Sequence, residues 1–313
     1  MDHPSTAPSA SAYLPAFRHP VRTFGSRTID FDRRVALMAV INRTPDSFYD
    51  GGATFALQAA VDASLGAVDD GADWIDIGGA PFSPGTPISS AEEADRILPV
   101  ISAVRAASDV IISADTFVPE VARQALAAGA NVVNDTTGLR NPDLARVVAD
   151  AGAHLVITHS LAEPRTVYPR PTYDDVVSEI ADFLLRKVDD AVRLGIPEDR
   201  ILLDPGHDLN KNTLHSLEIT RRFPEIAGLG FPTLAAVSNK DFIGETLDRP
   251  KRDRVEASLA AAVICILGGA RVVRMHNVAA SRAAINLTEA VLGWREPVYL
   301  RHNMGESNEP VAP

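Results

Sequence analysis

The chain alternates short apolar runs with longer segments of helical spacing, and it does so eight times. The runs are VALMAVI ending before Asn42, DWIDIG from Asp73, VIISAD from Val110, NVVND from Asn131, HLVITH from His154, ILLD from Ile201, PTLAAVS from Pro232 and RVVRMH from Arg271. Each has the length of a buried strand, and helix signals separate nearly all of them. Pro119 opens EVARQALAAG, Asn141-Pro142 opens DLARVVADAG, and Tyr173 to Gly195 carries an apolar stripe broken by charges. A Gly-Ala pair precedes four of the strands, at Gly71, Gly129, Gly152 and Gly269, and each glycine suits a helix end in the left-handed conformation. Eight alternations in roughly 250 residues predict an α/β (β/α)8 barrel and suit an open doubly wound sheet less well. No GxGxxG follows the first run, so a dinucleotide fold loses its main support.

In such a barrel the carboxyl ends of the strands share one face, where active sites are built. The residues arriving there are Asn42, Asp76, Asp115, Asn134 with Asp135, His159, Asp204, Ser238 to Lys240, and Arg274 with His276. A single acidic strand end reads equally well as a helix cap, and Asp204-Pro205-Gly206 is an ordinary turn signal. Recurrence at nearly every strand end is what points to a site. The loop after the first strand crowds Thr44, Asp46, Ser47, Tyr49 and Asp50 around Pro45 and Gly51-Gly52, a ligand loop carried on a rigid strand. His159, His207 and His215 match no compact metal-ligand spacing, and Lys211 reads either as a further cation or as a solvated loop lysine.

Composition narrows the ligand. A formal charge of -11 argues against nucleic acid and acidic membranes as partners, so an anionic substrate must be met by local cations. No apolar run reaches the roughly 18 residues of a membrane span. The single cysteine, Cys265, lies in the apolar run LAAAVICIL; it suits packing better than catalysis, and a reducing cytoplasm is expected. Residues 1–33 begin rich in Ser, Ala and Pro without a secretion pattern and read as a loose N-terminal extension, residues 34–294 as the barrel, and residues 295–313 as a C-terminal tail.

These motifs, in this order, resemble dihydropteroate synthase, the folate-pathway transferase that joins a pterin diphosphate to 4-aminobenzoate. NRTPDSFYDGG is similar to the first-loop signature, DWIDIGG to the second strand, and ISADTFVPEVARQALAAGANVVNDTTG to the third and fourth strands. LLDPGHDLNKN, SNKDFIGE and RVVRMHNV resemble the sixth, seventh and eighth strand ends, and NRTPDSFYD with SNKDFIGETL looks closest to a second, actinobacterial-type branch. The resemblance implies that Asp115, Asn134, Asp204 and Lys240 bind the pterin, with Lys240 and Asp115 nearest the chemistry. It further implies that Asn42, Arg274 and His276 hold the diphosphate, that Asn42 ligates a shared Mg²⁺, and that the protein is a homodimer. The implied reaction is a dissociative substitution with no protein nucleophile, in which positioning and charge neutralisation do the work.

The departures cluster at the second substrate. The arylamine pocket implied by the resemblance comprises Thr44, Pro45, Phe48, Phe82, Ser83 and Asp241. Phe82 and Ser83 stand where the family has Thr and Arg, and no serine replaces a guanidinium as an anion donor. Asp241 stands where a serine binds the carboxylate of 4-aminobenzoate at a helix N-terminus, and it is expected to compete for those N–H groups. Arg43 offers a compensating positive charge. Three readings follow: a working synthase with a remodelled arylamine pocket; a pterin-diphosphate-binding homologue with another nucleophile or lost transfer; and a methyltetrahydrofolate-binding barrel serving a corrinoid, which the first-loop motif and Lys240 disfavour.

Overall fold

The computed structural model describes residues 12–43, 56–82, 84–168 and 170–303. Its strands are β1 (Val21–Phe24), β2 (Arg27–Asp30), β3 (Ala36–Asn42), β4 (Trp74–Gly78), β5 (Ile111–Asp115), β6 (Val132–Asp135), β7 (His154–Thr158), β8 (Ile201–Asp204), β9 (Leu234–Ala235) and β10 (Val272–Met275). Its helices are α1 (Leu57–Asp69), α2 (Ser90–Ala107), α3 (Pro119–Ala127), α4 (Pro142–Asp150), α5 (Val176–Arg193), α6 (Thr213–Arg221), α7 (Phe223–Ala227), α8 (Asp241–Leu247), α9 (Val255–Leu267) and α10 (Val278–Val291).

All eight predicted strands form one parallel sheet in the order β8-β7-β6-β5-β4-β3-β10-β9, and a bridge between Leu203 and Thr233 closes it into a barrel. β9 is much shorter than the run PTLAAVS: ladder pairing covers only Leu234 and Ala235, because Pro232 brings no N–H and the chain beyond Ala235 leaves the sheet for the α8 loop. Side-chain alternation builds two cores. Leu37, Ile75, Ile112, Val133, Leu155, Leu203 and Val273 face the helices, while Met38, Trp74, Ile111, Val132, Val156, Leu202, Leu234 and Val272 fill the interior. The four glycines of the Gly-Ala pairs all adopt positive φ and close their helices as expected; Ala72 N, for example, donates to Ala67 O at 2.9 Å. Cys265 is fully buried under α9, and burial pushes its thiol up to about 12, so it packs rather than reacts.

The antiparallel hairpin of β1 and β2 was not among the predicted strands. Its alternation is only four residues per strand and its apolar residues are few, so the local pattern is weak. Its partner is distant: Phe24, Ile29 and Phe31 plug the amino-terminal end of the barrel and join the interior core. The Phe24 ring lies 5.4 Å from Trp74 and 4.1 Å from His154, and buried Arg271 donates to Phe31 O at 2.8 Å. The preceding stretch also follows the barrel wall, through Tyr13 N to Leu267 O at 2.7 Å and Arg18 N to Gly230 O at 3.1 Å. Among the described residues no helix is long and apolar enough to cross a membrane.

Candidate active site

The interior changes character within one strand step. Above the apolar layer the next inward residues are Asp76 on β4, Ser113 on β5, Asn134 on β6, Thr158 on β7, Asp204 on β8 and Arg274 on β10, all of them buried or nearly so. One step further come Asn42, Asp115 and His276 at the mouth. Period-two alternation therefore converts seven strand ends into a polar well over a dry floor.

Asp76 organises the well. Its side chain is fully buried, and it accepts from the Ser113 hydroxyl on one oxygen and from Arg274 Nε at 2.7 Å and Asn134 Nδ2 at 3.1 Å on the other. Ser113 is itself held by the Trp74 indole N–H at 2.8 Å. Arg274 also donates to Asp115 Oδ2 at 3.3 Å, so its guanidinium bridges two strands. Burial opposes the charge of Arg274, but Asp76 and Asp115 more than offset it and raise its pKa. Because a carboxylate accepts only, Asn134 must turn its amide nitrogen to Asp76, which leaves its buried Oδ1 aimed into the well without a partner.

The carboxylates facing the cavity are hard to ionise. Burial, reinforced by the neighbouring charge of Asp76, raises Asp115 to about 8. Burial likewise raises Asp204 to about 6 against the opposing pull of the Gly206 N–H, which it accepts at 2.7 Å, and of Lys240 and Lys211. Burial lowers Lys240, with Asp208 resisting, and brings Lys211 down to about 7.

Asn42, Asp115, Asn134, Asp204, Lys240, Arg274 and His276, the residues singled out in the sequence, line one cavity of about 500 Å³, as do Phe82 and Asp241. His276 Nδ1 pairs with Ser238 Oγ at 2.9 Å, and the residue lines the cavity. Thr44, Pro45, Phe48 and Ser83 lie outside the described residues. Lys211 is buried rather than solvated: it meets His159 Nδ1 at 2.9 Å and Leu209 O at 2.9 Å. His207 is stacked between Phe223 and Phe242, and His215 completes the capping box of α6. None of these histidines is placed to ligate a metal with its neighbours, and among the described residues no cluster of three or more His, Cys, Asp or Glu could hold one.

One residue gains structural contacts and one expectation is corrected. The Arg43 guanidinium donates to Asp95 O at 3.0 Å and Arg96 O at 2.6 Å on α2, so its contacts fasten the strand end to a helix. Asp241 does not occupy the N–H groups that open α8; its carboxylate turns to Arg254 at 3.0 Å, and the first two amides go to Asp208, at 2.6 Å from Asp241 N and 3.3 Å from Phe242 N. Asp76 was expected at the strand ends without a specific role, and Asp208 was not expected at the site at all. The inward parity of Asp76 in DWIDIG is the signal for the role of the first, whereas Asp208 depends on a contact across 33 positions.

A barrel whose well sets acceptors beside cations suits a flat, N–H-bearing heterocycle with an anionic tail. The chain belongs to the pterin binding enzyme family, whose model matches residues 38–276. It is 41% identical over 277 residues to the inactive dihydropteroate synthase 2 of Mycobacterium leprae, covering 87% of this chain and 95% of that protein. It is 38% identical to the dihydropteroate synthase of Synechocystis, covering 91% and 98%. Among solved structures, dihydropteroate synthase of Xanthomonas albilineans with 4-aminobenzoic acid superposes with a TM-score of 0.81 at 38% identity, covering 87% and 98%.

Proposed function

We propose that the chain binds 6-hydroxymethyl-dihydropterin diphosphate in the well and transfers its pterin methylene to an amine, as a folate-pathway transferase of the dihydropteroate synthase type. The observation that carries this reading is the buried Asn134 Oδ1, which has no partner among the described residues, on a side chain that lines the cavity beside Asp204; these acceptors call for N–H donors. A pterin edge supplies them. Lys240 lies beside this set, positioned to meet the ring carbonyl and N5, while Arg274 and His276 provide donors for the diphosphate. In the reaction the bond from the methylene carbon to the diphosphate oxygen breaks with both electrons leaving on oxygen, the amine lone pair forms the new carbon–nitrogen bond, and the amine gives up a proton. The protein's share is to fix the two reactants in line and to stabilise the departing charge.

Asn42 fits a Mg²⁺ shared with the diphosphate. A Cβ on Gly78 would lie 3.5 Å from both Asn42 Oδ1 and Asp115 Oδ2, so two hard oxygen donors face one small cradle. When bound, the ion supplies charge neutralisation to the leaving group.

Calorimetry of the full chain with pterin diphosphate tests the reading, and pH sharpens it. Asp204 accepts a ring N–H more strongly as a carboxylate than as a neutral acid, so affinity is expected to rise as pH passes upward through about 6. Asp204→Asn is expected to weaken binding about ten- to a hundredfold and to flatten that rise. Absence of pterin binding at every pH would sink the proposal. The altered Phe82 and Asp241, together with a relative named as an inactive synthase, favour a second reading in which the pterin is bound without transfer. Pyrophosphate release on adding an amine distinguishes the two.

A homodimer through α9 and α10 is part of the same proposal. The two helices pack together, and Ile264, Leu287 and Val291 stand 51%, 68% and 66% exposed on them. Sedimentation should give a dimer that Leu287→Glu converts to monomer; a monomeric parent chain refutes it. A single buried cysteine supports a reducing compartment, the cytoplasm.

A further inference from the structure

The end of the cavity nearest α8 already holds an anion. Asp208 follows the β8 turn with φ +63°, a left-handed conformation that a side chain adopts at some cost. Both of its oxygens are engaged. Oδ1 accepts from Ser216 Oγ at 2.9 Å, and Oδ2 accepts from the amides of Asp241 at 2.6 Å and Phe242 at 3.3 Å. The backbone N–H of Asp208 returns a bond to the same Ser216 hydroxyl at 3.1 Å, which fixes the carboxylate in place. Asp208 and Asp241 line the cavity together with Lys240 and Lys251, and Arg254, which contacts Asp241, spends its guanidinium on Arg249 O, Asn239 O, Lys240 O and Asp241.

We propose that Asp208 is a built-in carboxylate that excludes anionic groups from the α8 end of the cavity, so that the amine acceptor of this chain presents a neutral, hydrogen-bond-donating group there in place of a carboxylate. The inference rests on the transferase reading above and names the class of its second substrate. An incoming carboxylate finds the two amides taken and meets the Asp208 carboxylate in their place, while Asp241 beside it is already held by Arg254. A neutral carboxamide meets neither obstacle, because its N–H donates to the lone pairs that Asp208 retains. Specificity then follows from repulsion of the charged competitor as much as from attraction of the neutral one.

The test compares 4-aminobenzoate with 4-aminobenzamide, two amines of one shape that differ in charge at the far end. Each is titrated calorimetrically into the full chain, alone and with 6-hydroxymethylpterin and pyrophosphate present, a pair that cannot react. The amide is expected to bind about tenfold or more tightly than the carboxylate. Asp208→Gly, which suits the positive φ, and Asp208→Asn, which keeps an oxygen for the amides, are both expected to shrink that ratio toward one; thermal unfolding confirms that each folds. Equal or tighter binding of 4-aminobenzoate to the parent chain overturns the inference, as does a ratio unmoved in both variants, or no binding of either amine to any of the chains. A purely structural cap would alter stability and leave the ratio alone. Failure of the pterin to bind in the same experiment removes the pterin reading only, because the amine ratio is also measured without it.

Discussion

Asp76→Ala is expected to destabilise the chain by about 3–5 kcal/mol and to abolish pterin binding. The fully buried carboxylate accepts from Ser113, Asn134 and Arg274, and its removal strands a guanidinium and two neutral donors where water has little access. The loss is that of an uncompensated buried charge rather than of one hydrogen bond. Asp76→Asn separates charge from shape. It keeps the volume but ends the electrostatic pressure on Asp115, whose pKa owes its rise first to burial and then to Asp76. Asp115 should therefore titrate below its parent value of about 8, by carboxyl NMR. Urea denaturation that places Asp76→Ala within about 1 kcal/mol of the parent, or an Asp115 that does not move, would remove Asp76 from the centre of the site.

Phe24→Ala is expected to cost a similar amount, about 3–5 kcal/mol, without direct contact with any ligand group. Phe24 is 1% exposed and its ring packs against Trp74, His154 and Phe31, so truncation opens a void under the whole well. The void lies directly beneath the Trp74 to Ser113 to Asp76 chain of hydrogen bonds, and pterin affinity should fall with stability. A variant as stable as the parent would mean that the hairpin merely decorates the barrel. Intrinsic fluorescence offers a second readout, because Trp74 is one of only two tryptophans in the chain.

What the sequence made legible divides by distance along the chain. The eight barrel strands were readable because a strand buried on both faces writes its own run, and Gly71 or Pro119 marks a helix end within a few residues of the helix. Asn42, Asp115, Asn134, Asp204, Lys240, Arg274 and His276 were readable because the topology guarantees that strand ends converge, so position on a strand sufficed to place them in one cavity. The hairpin was not, since β1 and β2 carry few apolar residues and acquire meaning only against Met38, Trp74 and Leu202. Arg43 and Asp241 were placed near the right element, but their partners were not foreseeable: α2 carbonyls for the first and Arg254 for the second. Charge type was legible, and pairing was not. A loop aspartate such as Asp208 settles which amides are taken, and no local pattern ties residue 208 to the first turn of α8.

The packed interior layer, backed by Phe24, Ile29 and Phe31, makes the well a blind shaft. Traffic through it runs one way in and the same way out. A molecule resting on Asn134 and Asp204 sits below anything lodged beside Asp208 and Phe82, so the deeper occupant must arrive first, and what is assembled from the two must leave as a unit or from the top down. On the proposed reading, the expected result is an order of binding set by an apolar floor that offers neither occupant a hydrogen bond.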